Sequence, residues 1–331
     1  MTQTVATTPG LYPLPEWAKD ELEDLKGHQK EDLVNGGESD DLRDAYRRAR
    51  ADGVGQQRAA GLDRVVEGQL RWDDMLAHPL VVADGVEAGG IVRYYDNNNF
   101  YRDPVVSGPL EPTGDVAAEL EAAAEHVEAG LQAVLPGPYS LADFATDQYY
   151  GDPAAFLDAV ADFLAAEADR FPAVKTLFLL EPSLVTAPPG DGPDERASEA
   201  VDTVAGAVDA DVVVHTYWGA LEEKVYAHLM DADVEAIGFD LVTSHDGSAY
   251  LAGEYGAKPD AALGVVDGQN TLVESPDTVR ERIEWFADAS GESFGTVYAT
   301  SNTELFYLPV NKFEAKLEAL ANAANREEVR A

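Results

Sequence analysis

The stretch DVVVHTYW, residues 211–218, decides the fold class. Three consecutive valines before a histidine are typical of a strand that is buried on both faces, as strands are in a parallel sheet covered by helices. Seven other short apolar runs have the same character, which makes eight predicted strands in all. These seven runs span residues 5–10, 63–69, 131–137, 176–182, 236–242, 263–269 and 296–302.

Helical patterns separate the predicted strands. Residues 152–171 begin with an aspartate that can cap a helix and a proline suited to the first helical position, and a stripe of apolar side chains follows. Residues 276–287 and 310–322 repeat this pattern. The alternation predicts an α/β fold, a single (β/α)8 TIM barrel that forms one domain over residues 1–331. A doubly wound open sheet is the alternative, although no G-x-G-x-x-G motif follows a strand to support a dinucleotide site.

One long insertion interrupts the alternation after the second strand. Residues 77–114 contain GGIVRYYDNNNFYRDP and show no helical periodicity, so we expect a long loop there. The arginines and aromatic residues of this segment argue against disorder. Long ordered loops in compact domains are usually functional.

The charge of the chain is unusual, because 62 acidic residues stand against 23 basic ones and give a net charge of -39. The acidic residues are spread over the whole chain, which is typical of the solvated surface of a salt-adapted, halophilic protein. An ordinary acidic protein is the alternative. The charge disfavours non-specific nucleic-acid binding, because a phosphate backbone needs a footprint of lysine and arginine that this chain does not have.

The chain contains no cysteine, so disulfides, thiolate zinc sites and cysteine nucleophiles are excluded. No apolar run reaches the length of about 18 residues that a membrane-spanning helix needs. The N-terminus has neither a basic start nor an apolar signal core. We therefore expect a cytoplasmic protein that does not bind membranes.

Polar residues follow nearly every predicted strand. In a TIM barrel the carboxyl ends of the strands meet at one face, and the active site lies there. A ring of polar groups at that face suits an elongated polar ligand that contains an aromatic ring. The candidates are Gln69, Arg71, Glu181, His215, Tyr217, Trp218, Asp240, Asp267, Asn270, Asn302 and Glu304.

Several of these residues have simpler structural interpretations, which stay open at this point. Glu181 precedes a proline and can cap a helix, and Asp267 belongs to an Asp-Gly pair of the kind found in turns. A histidine at a strand end, such as His215, is more often a hydrogen-bonded structural residue than a metal ligand. Arg102 can form an ion pair in an acidic protein, and residues 97–99 can form a tight turn.

Seven segments carry a family resemblance, and they are TTPGLYPLP (7–15), LDRVVEGQLRWDDML (62–76), VRYYDNNNFYR (92–102), VLPGPYSL (134–141), LFLLEPSL (177–184), HTYWG (215–219) and GVVDGQN (264–270). In this order they resemble the cobalamin-independent methionine synthase family, over residues 7–322. The resemblance implies TIM barrels that transfer a methyl group from a methylated folate, 5-methyltetrahydropteroylpolyglutamate, to homocysteine in methionine biosynthesis. HTYWG, VRYYDNNN and GVVDGQN favour the N-terminal type of barrel.

The catalytic barrel of that family holds zinc through a His-x-Cys pair, a glutamate on the next strand and a second cysteine near the last strand. The resemblance places His215 at the histidine, Tyr217 at the first cysteine and Asp240 near the glutamate. Gln69 and Leu180 replace acidic residues of the homocysteine site. Since no thiolate is available, the resemblance implies that a separate zinc-bearing barrel is the partner and that this chain itself holds no zinc.

The first hypothesis is therefore a component that binds the methyl donor, a methylated folate or another pterin. One alternative is a self-sufficient enzyme with another acceptor or with decarboxylase-like chemistry, and another is a non-catalytic binding or assembly subunit. The predicted substrate-binding residues are Gln69, Arg71, Asp96, Asn98, Arg102, Tyr217, Trp218, Asp267, Asn270 and Asn302. The catalytic candidates are His215, Asp240 and Glu181. An open alternative is a metal site without cysteine, formed by His215, Asp240 and Glu304.

If the acidic surface is an adaptation to salt, the midpoint of thermal unfolding should climb steeply between low and molar salt. Repulsion within a chain of net charge -39 destabilises its compact state. Salt shortens the screening length from about 30 Å at about 0.01 M to about 3 Å at about 1 M. Calorimetry over a potassium chloride series measures the effect. An unfolding temperature that stays constant over the series would contradict the interpretation.

Overall fold

The computed structural model of the chain describes residues 2–23, 37–95 and 97–325. The described strands are β1 Gln3–Ala6, β2 Val65–Val66, β3 Val86–Arg93, β4 Phe100–Val106, β5 Leu131–Pro136, β6 Thr146–Asp147, β7 Thr176–Leu180, β8 Asp211–His215, β9 Ala236–Asp240, β10 Asp260–Val266 and β11 Thr296–Ser301. The described helices are α1 Glu16–Glu23, α2 Asp40–Ala60, α3 His78–Val81, α4 Asp115–Ala124, α5 Pro138–Asp143, α6 Pro153–Ala168, α7 Ser183–Thr186, α8 Pro193–Ala205, α9 Glu223–Asp231, α10 His245–Tyr255, α11 Pro276–Ser290 and α12 Val310–Ala324. None of these helices is long and apolar enough to cross a membrane.

Eight of the described strands form one parallel sheet in the order β1-β11-β10-β9-β8-β7-β5-β2. The two outer strands approach each other, since the Arg64 amide donates to the carbonyl of Ala6 (3.2 Å). Just beyond them, the Tyr12 amide donates to the carbonyl of Gly68 (2.9 Å). The sheet thereby curls in the manner of a TIM barrel, and the eight predicted strands are confirmed. The three predicted helices correspond to α6, α11 and α12, while the extent of one domain over residues 1–331 stays a prediction.

The central strands are buried on both faces, as the valine run of β8 predicts. Val213 and Val214 on β8 have no exposed surface, and neither have Phe178 on β7 and Ala262 on β10. Burial of a valine or phenylalanine side chain contributes about 1.5–3 kcal/mol. Apolar packing therefore fills the interior, and polar groups gather where the apolar runs stop, as β8 does at His215.

Residues 77–114 do not form one long loop, which corrects the expectation from the sequence. They contain α3 and a hairpin in which β3 and β4 pair antiparallel, with Arg93 opposite Phe100. The turn of the hairpin is tight, because the Tyr94 amide donates to the carbonyl of Asn99 (2.8 Å). The pairing is irregular between Ala88 and Ile91. Two glycines lie in that irregular stretch and break the alternation of apolar and polar residues that reveals a strand.

A largely buried network of ion pairs links the segment after β2 to α2 and α4. Arg50 and Arg71 both pair with Glu119, Arg71 at 2.9 Å. Arg71 also pairs with Asp115 at 3.0 Å. Although burial opposes it, the hydrogen bond from His78 and the charge of Arg71 hold the pKa of Asp115 well below its usual range. Buried pairs are screened much less by salt than exposed ones, so this network should persist in concentrated salt.

A methyl group at Gly238 in β9 should destabilise the barrel. Its Cβ would lie 2.3 Å from Nδ1 and 2.8 Å from Cα of His215 on the neighbouring strand. Overpacking of this kind costs about 1–3 kcal/mol, and the contact with a backbone atom places Gly238→Ala at the upper end. Urea unfolding measures this loss.

Gly55, inside α2, provides the matched control. Nothing lies within 4 Å of a Cβ built at this position. Gly55→Ala should therefore raise the free energy of unfolding by about 0.5–1 kcal/mol, because alanine loses less backbone entropy in a helix. Similar effects of the two substitutions would contradict the close packing of β8 on β9.

Candidate functional site

The segments after β8 and β11 meet at a buried carboxyl group, that of Glu304. Its Oε1 accepts the hydroxyls of Tyr94 (2.6 Å) and Tyr217 (2.5 Å). All three side chains lack exposed surface. Burial raises the pKa of Glu304, although the two hydroxyl bonds favour its ionised form. The second oxygen, Oε2, is buried and finds no hydrogen-bond partner among the described residues.

Aromatic rings surround this carboxyl group. The ring centroid of Tyr94 lies 5.6 Å from that of Phe144 and 6.4 Å from that of Phe306. The rings of Tyr95 and Trp218 meet edge to face at 4.4 Å. Apolar walls around one polar group are typical of a site for a small flat ligand. We define the ring cluster as Tyr94, Tyr95, Phe144, Tyr217, Trp218 and Phe306.

The hairpin of β3 and β4 delivers Tyr94 and Tyr95 to the carboxyl-terminal mouth of the barrel. The hydroxyl of Tyr95 hydrogen-bonds to Oγ of Ser183 after β7 (3.0 Å). Nδ2 of Asn97 donates to the hydroxyl of Tyr307 after β11 (3.0 Å). The insertion is therefore part of the site, and its aromatic residues close the mouth.

Strained backbone is concentrated on this face of the barrel. The described residues other than glycine that have positive φ all lie in segments that follow β1, β2, β3 or β8. Such conformations cost about 1–3 kcal/mol each and cluster at functional sites. They are Leu11 (49°), Gln69 (50°), Met75 (51°), Tyr95 (51°) and Trp218 (68°).

A cavity of about 180 Å³ opens beside the ring cluster, between the segments that follow β1 and β2. Tyr12, Gln69, Trp72 and Phe306 are among its lining residues. Since Phe306 also contacts Tyr94, a ligand in this cavity would touch the ring cluster through a shared wall.

Asp240 ties together the ends of three strands. Its carboxylate accepts the backbone amides of Trp218 (2.9 Å) and Thr243 (2.8 Å). It also accepts the amide of Val242 (3.0 Å) and Nδ2 of Asn302 (3.2 Å). Its four donors leave this carboxylate little capacity for a ligand, so the geometry favours a structural role.

His215 ends β8, two residues before Tyr217, and it is fully buried. Its Nε2 lies 3.0 Å from the carbonyl oxygen of Asn302. Because a carbonyl only accepts hydrogen bonds, Nε2 carries the proton and Nδ1 presents a lone pair towards Gly238. Burial lowers the pKa of His215 to about 4, so the ring is neutral near neutral pH. This geometry fits the structural interpretation of the histidine.

Glu181 caps the short helix α5. Its Oε1 accepts the amide of Tyr139 (2.9 Å), and its Oε2 accepts the amide (2.8 Å) and the hydroxyl (2.6 Å) of Ser140. Burial raises the pKa of Glu181 to about 7 despite these donors. The simpler of the two interpretations of Glu181, helix capping, accounts for all of these contacts.

Three further predicted binding residues make their polar contacts outside the ring cluster. Arg71 lies in the buried ion network described above. Arg102 pairs with Asp74 (2.6 Å), and that carboxylate is itself buried. Oε1 of Gln69 accepts the amide of Leu11 (2.9 Å) and so joins the segments after β1 and β2.

Asp267, Asn270 and Asn98, which the structure describes, lie in turns. The Oδ1 atoms of Asp267 and Asn270 each accept the amide two residues later in the chain, both at 2.9 Å. This is the turn chemistry that the Asp-Gly pair indicates. Asn98 is exposed and accepts a hydrogen bond from Arg93 (3.2 Å). Asp96, predicted to bind substrate, lies outside the described residues.

The family model of the cobalamin-independent synthase N-terminal domain matches residues 80–290, more than half of the chain. The chain belongs to the cobalamin-independent methionine synthase family. It is 25% identical over 291 residues to the methionine synthase of Saccharolobus solfataricus, which covers 85% of this chain and 83% of that protein. It is 26% identical over 296 residues to the methionine synthase of Methanothermobacter marburgensis, with 85% and 90% covered.

Solved structures of B12-independent methionine synthases share the fold. The enzyme from Shewanella sp. W3-18-1, in complex with selenomethionine, gives a TM-score of 0.79 at 17% identity over 97% of this chain and 96% of that chain. The putative enzyme from Listeria monocytogenes gives 0.71 at 16% identity over 98% of both chains. These likenesses confirm the predicted TIM barrel.

The strand ends of this methionine synthase family member do not fit a zinc ion. The chain offers no thiolate. His215 turns the proton-bearing Nε2 to a carbonyl, and N–H donors occupy the carboxylate of Asp240. Within the described ranges, no three His, Asp or Glu side chains gather as metal ligands would. The arrangement can instead accept hydrogen bonds at Glu304 and stack a ring on aromatic faces.

Four members of the ring cluster, Tyr94, Tyr95, Phe144 and Phe306, were not among the residues predicted from the sequence. Tyr94 and Tyr95 precede the Asp-Asn-Asn-Asn turn of the hairpin, and this aromatic pair was the signal available in VRYYDNNNFYR. Phe144 and Phe306 belong to no motif. Glu304 was predicted as one of the polar groups at the strand ends and as an alternative metal ligand, and the structure surrounds its carboxyl group with the ring cluster.

Neutral His215 should make the barrel lose stability in acid. Because its folded pKa of about 4 lies below the ordinary value of 6.5, its contribution to stability is complete above pH 6.5 and is lost as the pH falls towards 4. Each unit by which the pKa is lowered corresponds to about 1.4 kcal/mol.

The variant His215→Gln isolates this contribution, since glutamine can still donate to the Asn302 carbonyl but does not titrate. Urea unfolding across the same pH range gives the difference in unfolding free energy between the unaltered chain and the variant. This difference should shrink as the pH falls. A difference that does not depend on pH would show that His215 is not a buried neutral base.

Proposed function

We propose that the chain is the component of a methionine-synthase-type methyltransferase that binds the methyl donor, and that it works with a separate zinc-bearing barrel. The donor is a methylated folate or another pterin, bound at Glu304 and the ring cluster. One observation carries the proposal. A buried carboxyl group is paired with aromatic rings at the carboxyl ends of the strands, in a chain without cysteine.

Membership of the family supports the reaction class. The relatives in Saccharolobus solfataricus and Methanothermobacter marburgensis are named methionine synthases, and the matching family model is that of the N-terminal domain. Zinc in such a reaction lowers the pKa of the acceptor thiol. Since the strand ends here do not fit zinc, the partner barrel supplies that chemistry and this chain supplies the donor site.

The ring cluster has the chemistry that a pterin needs. Trp218 and Tyr217 offer aromatic faces, and stacked or edge-to-face pairs contribute about 0.5–1.5 kcal/mol beyond their buried area. Glu304 offers a hydrogen-bond acceptor at the floor. Because the carboxyl group is shielded from water, each hydrogen bond made there is stronger than at the surface.

A self-sufficient enzyme is the second candidate, and the length of the relatives favours it. The match spans 83% and 90% of two proteins named methionine synthase, so each of them is not much longer than this chain. Because proteins of this length are named for the whole reaction, their length supports the idea that one barrel can catalyse it without a second. The acceptor in this chain would then be activated by a group other than cysteine-held zinc.

Methyl transfer from a methylated folate to homocysteine tests both candidates. The chain is purified at high salt and assayed alone, beside a candidate zinc-bearing barrel alone, and in a mixture of the two. The proposal expects product to rise in the mixture above the sum of the separate arms. Turnover by the chain alone would favour the second candidate. Donor binding without any effect on turnover would indicate a binding subunit and contradict the proposal.

Trp218→Ala should weaken donor binding by about tenfold, the loss expected when one stacking face is removed. Isothermal titration calorimetry with the methylated folate measures the dissociation constant. Trp285→Ala is the matched control, because Trp285 lies on α11 against His245 (5.0 Å between rings) and outside the ring cluster. Equal losses in the two variants would argue against the ring cluster as the donor site.

A further inference from the structure

Tyr94 fills the centre of the ring cluster with a ring that does not belong to the barrel. It comes from the hairpin after β2, whereas Glu304 and Trp218 come from barrel strand ends. Its hydroxyl donates to Glu304 (2.6 Å). Tyr94 is therefore a planar ring with one hydrogen-bond donor on its edge, inserted from outside. The rings around it, at centroid distances of 4.8 to 6.4 Å, include those of Tyr95, Phe144, Trp218 and Phe306.

Glu304 can accept more hydrogen bonds than Tyr94 and Tyr217 supply. Both hydroxyls bond to Oε1, and the buried Oε2 has no partner within the described part of the chain. Leaving such a buried acceptor unsatisfied is destabilising. A carboxylate pairs best with two parallel donors, one on each oxygen. A group with two adjacent N–H donors would take the place of the Tyr94 hydroxyl at Oε1 and would also satisfy Oε2.

We propose that Tyr94 occupies a binding site for a planar heterocycle that carries two adjacent N–H donors on one edge, and that Glu304 recognises this edge after Tyr94 has left. Tyr217 keeps its bond to Oε1, so Glu304 then accepts three hydrogen bonds. The edge of a pterin that joins its amino group to a ring N–H has this chemistry. Assigning the ligand to a methylated pterin rests on the proposed function, whereas recognition of paired donors does not.

Strand β3, which leads into Tyr94, is mostly exposed, so it can move while β4 stays packed on the barrel. It lies at the edge of a three-stranded sheet, and Ile91 and Val92 are 77% and 40% exposed. Gly89 and Gly90 interrupt its pairing with β4. Next to Tyr94, the backbone of Tyr95 has a φ of 51°, which is a strained conformation. Movement of the hairpin would relieve this strain.

Two fluorescent probes, pterin and lumazine, test the proposal on the full chain at high salt. Pterin places an amino group beside a ring N–H, whereas lumazine has a carbonyl in place of the amino group and presents an acceptor to Oε2. Tyr94→Ala should bind pterin at least about tenfold more tightly than the unaltered chain, because the probe no longer displaces a buried ring and its hydrogen bond. Lumazine should gain much less.

Two further variants locate the effect. Adding Glu304→Gln to Tyr94→Ala should remove the preference for pterin, because an amide turns one donor towards the donors of the probe. Tyr226→Ala is the matched control and should bind each probe with the affinity of the unaltered chain. Tyr226 is equally buried, and its hydroxyl donates to the carbonyl of Gly256 (2.7 Å) instead of to a carboxyl group. If Tyr94→Ala does not fold, Tyr94→Phe keeps the ring, loses the hydrogen bond, and should show the same preference with a smaller gain.

Equal pterin affinity of the Tyr94 variants and the unaltered chain would overturn the proposal. So would equal affinity for the two probes, or a preference that survives Glu304→Gln. The result is separable from the proposed function. Methyl transfer that depends on this chain, without any pterin preference in Tyr94→Ala, removes only the Tyr94 site. A clear preference without any effect on methyl transfer removes only the proposed function.

Discussion

The carboxyl-terminal mouth of this barrel depends on the burial of one carboxylate, that of Asp240. An unpaired charge in such a place is strongly destabilising, so the surrounding backbone has to supply donors. One of them is the amide of Trp218, a residue whose own backbone adopts a φ of 68°. The hydrogen bond to a charged group compensates for the strain of this turn. The same turn places the indole ring in the ring cluster. The hydrogen bond that Asp240 accepts from Trp218 therefore also fixes the position of an aromatic side chain.

Glu304 differs from Asp240 in how completely its buried carboxyl group is hydrogen-bonded. Both carboxyl groups are fully buried, yet N–H donors surround Asp240, whereas Glu304 has only two hydroxyls on one oxygen. Burial raises the pKa of Glu304, as it raises that of the fully bonded Glu181, so only the bonding of the two groups differs. A carboxyl group left incompletely bonded in a packed protein is unusual, and such incomplete sites are where ligands complete the bonding. Glu181, which holds α5 with three donors, resembles Asp240 in this respect.

Local patterns predict the barrel but not its mouth. The apolar composition of a run such as DVVVHTYW is enough to indicate a buried strand, which is why the eight barrel strands could be predicted. The hairpin escaped prediction because the glycines between Ala88 and Ile91 break its alternation. Tyr94 and Glu304 are separated by 210 residues, and nothing in the residues around either one specifies the other. Whether Glu181 caps a helix or takes part in catalysis likewise depends on its distance from the first residues of α5, which the local sequence does not specify.

The hydrogen bond between Tyr217 and Glu304 connects two strand ends near which the family's catalytic barrel has its zinc-binding cysteines. The family resemblance places Tyr217 at the first zinc-binding cysteine, and Glu304 follows the last strand, near which the second cysteine would stand. In this chain a phenol and a buried carboxyl group join the same two strand ends at 2.5 Å. A hydrogen bond of this kind holds the ends of β8 and β11 together without metal ligands. It also leaves the buried Oε2 of Glu304 without a partner among the described residues, and this oxygen is the acceptor that the proposed ligand would use.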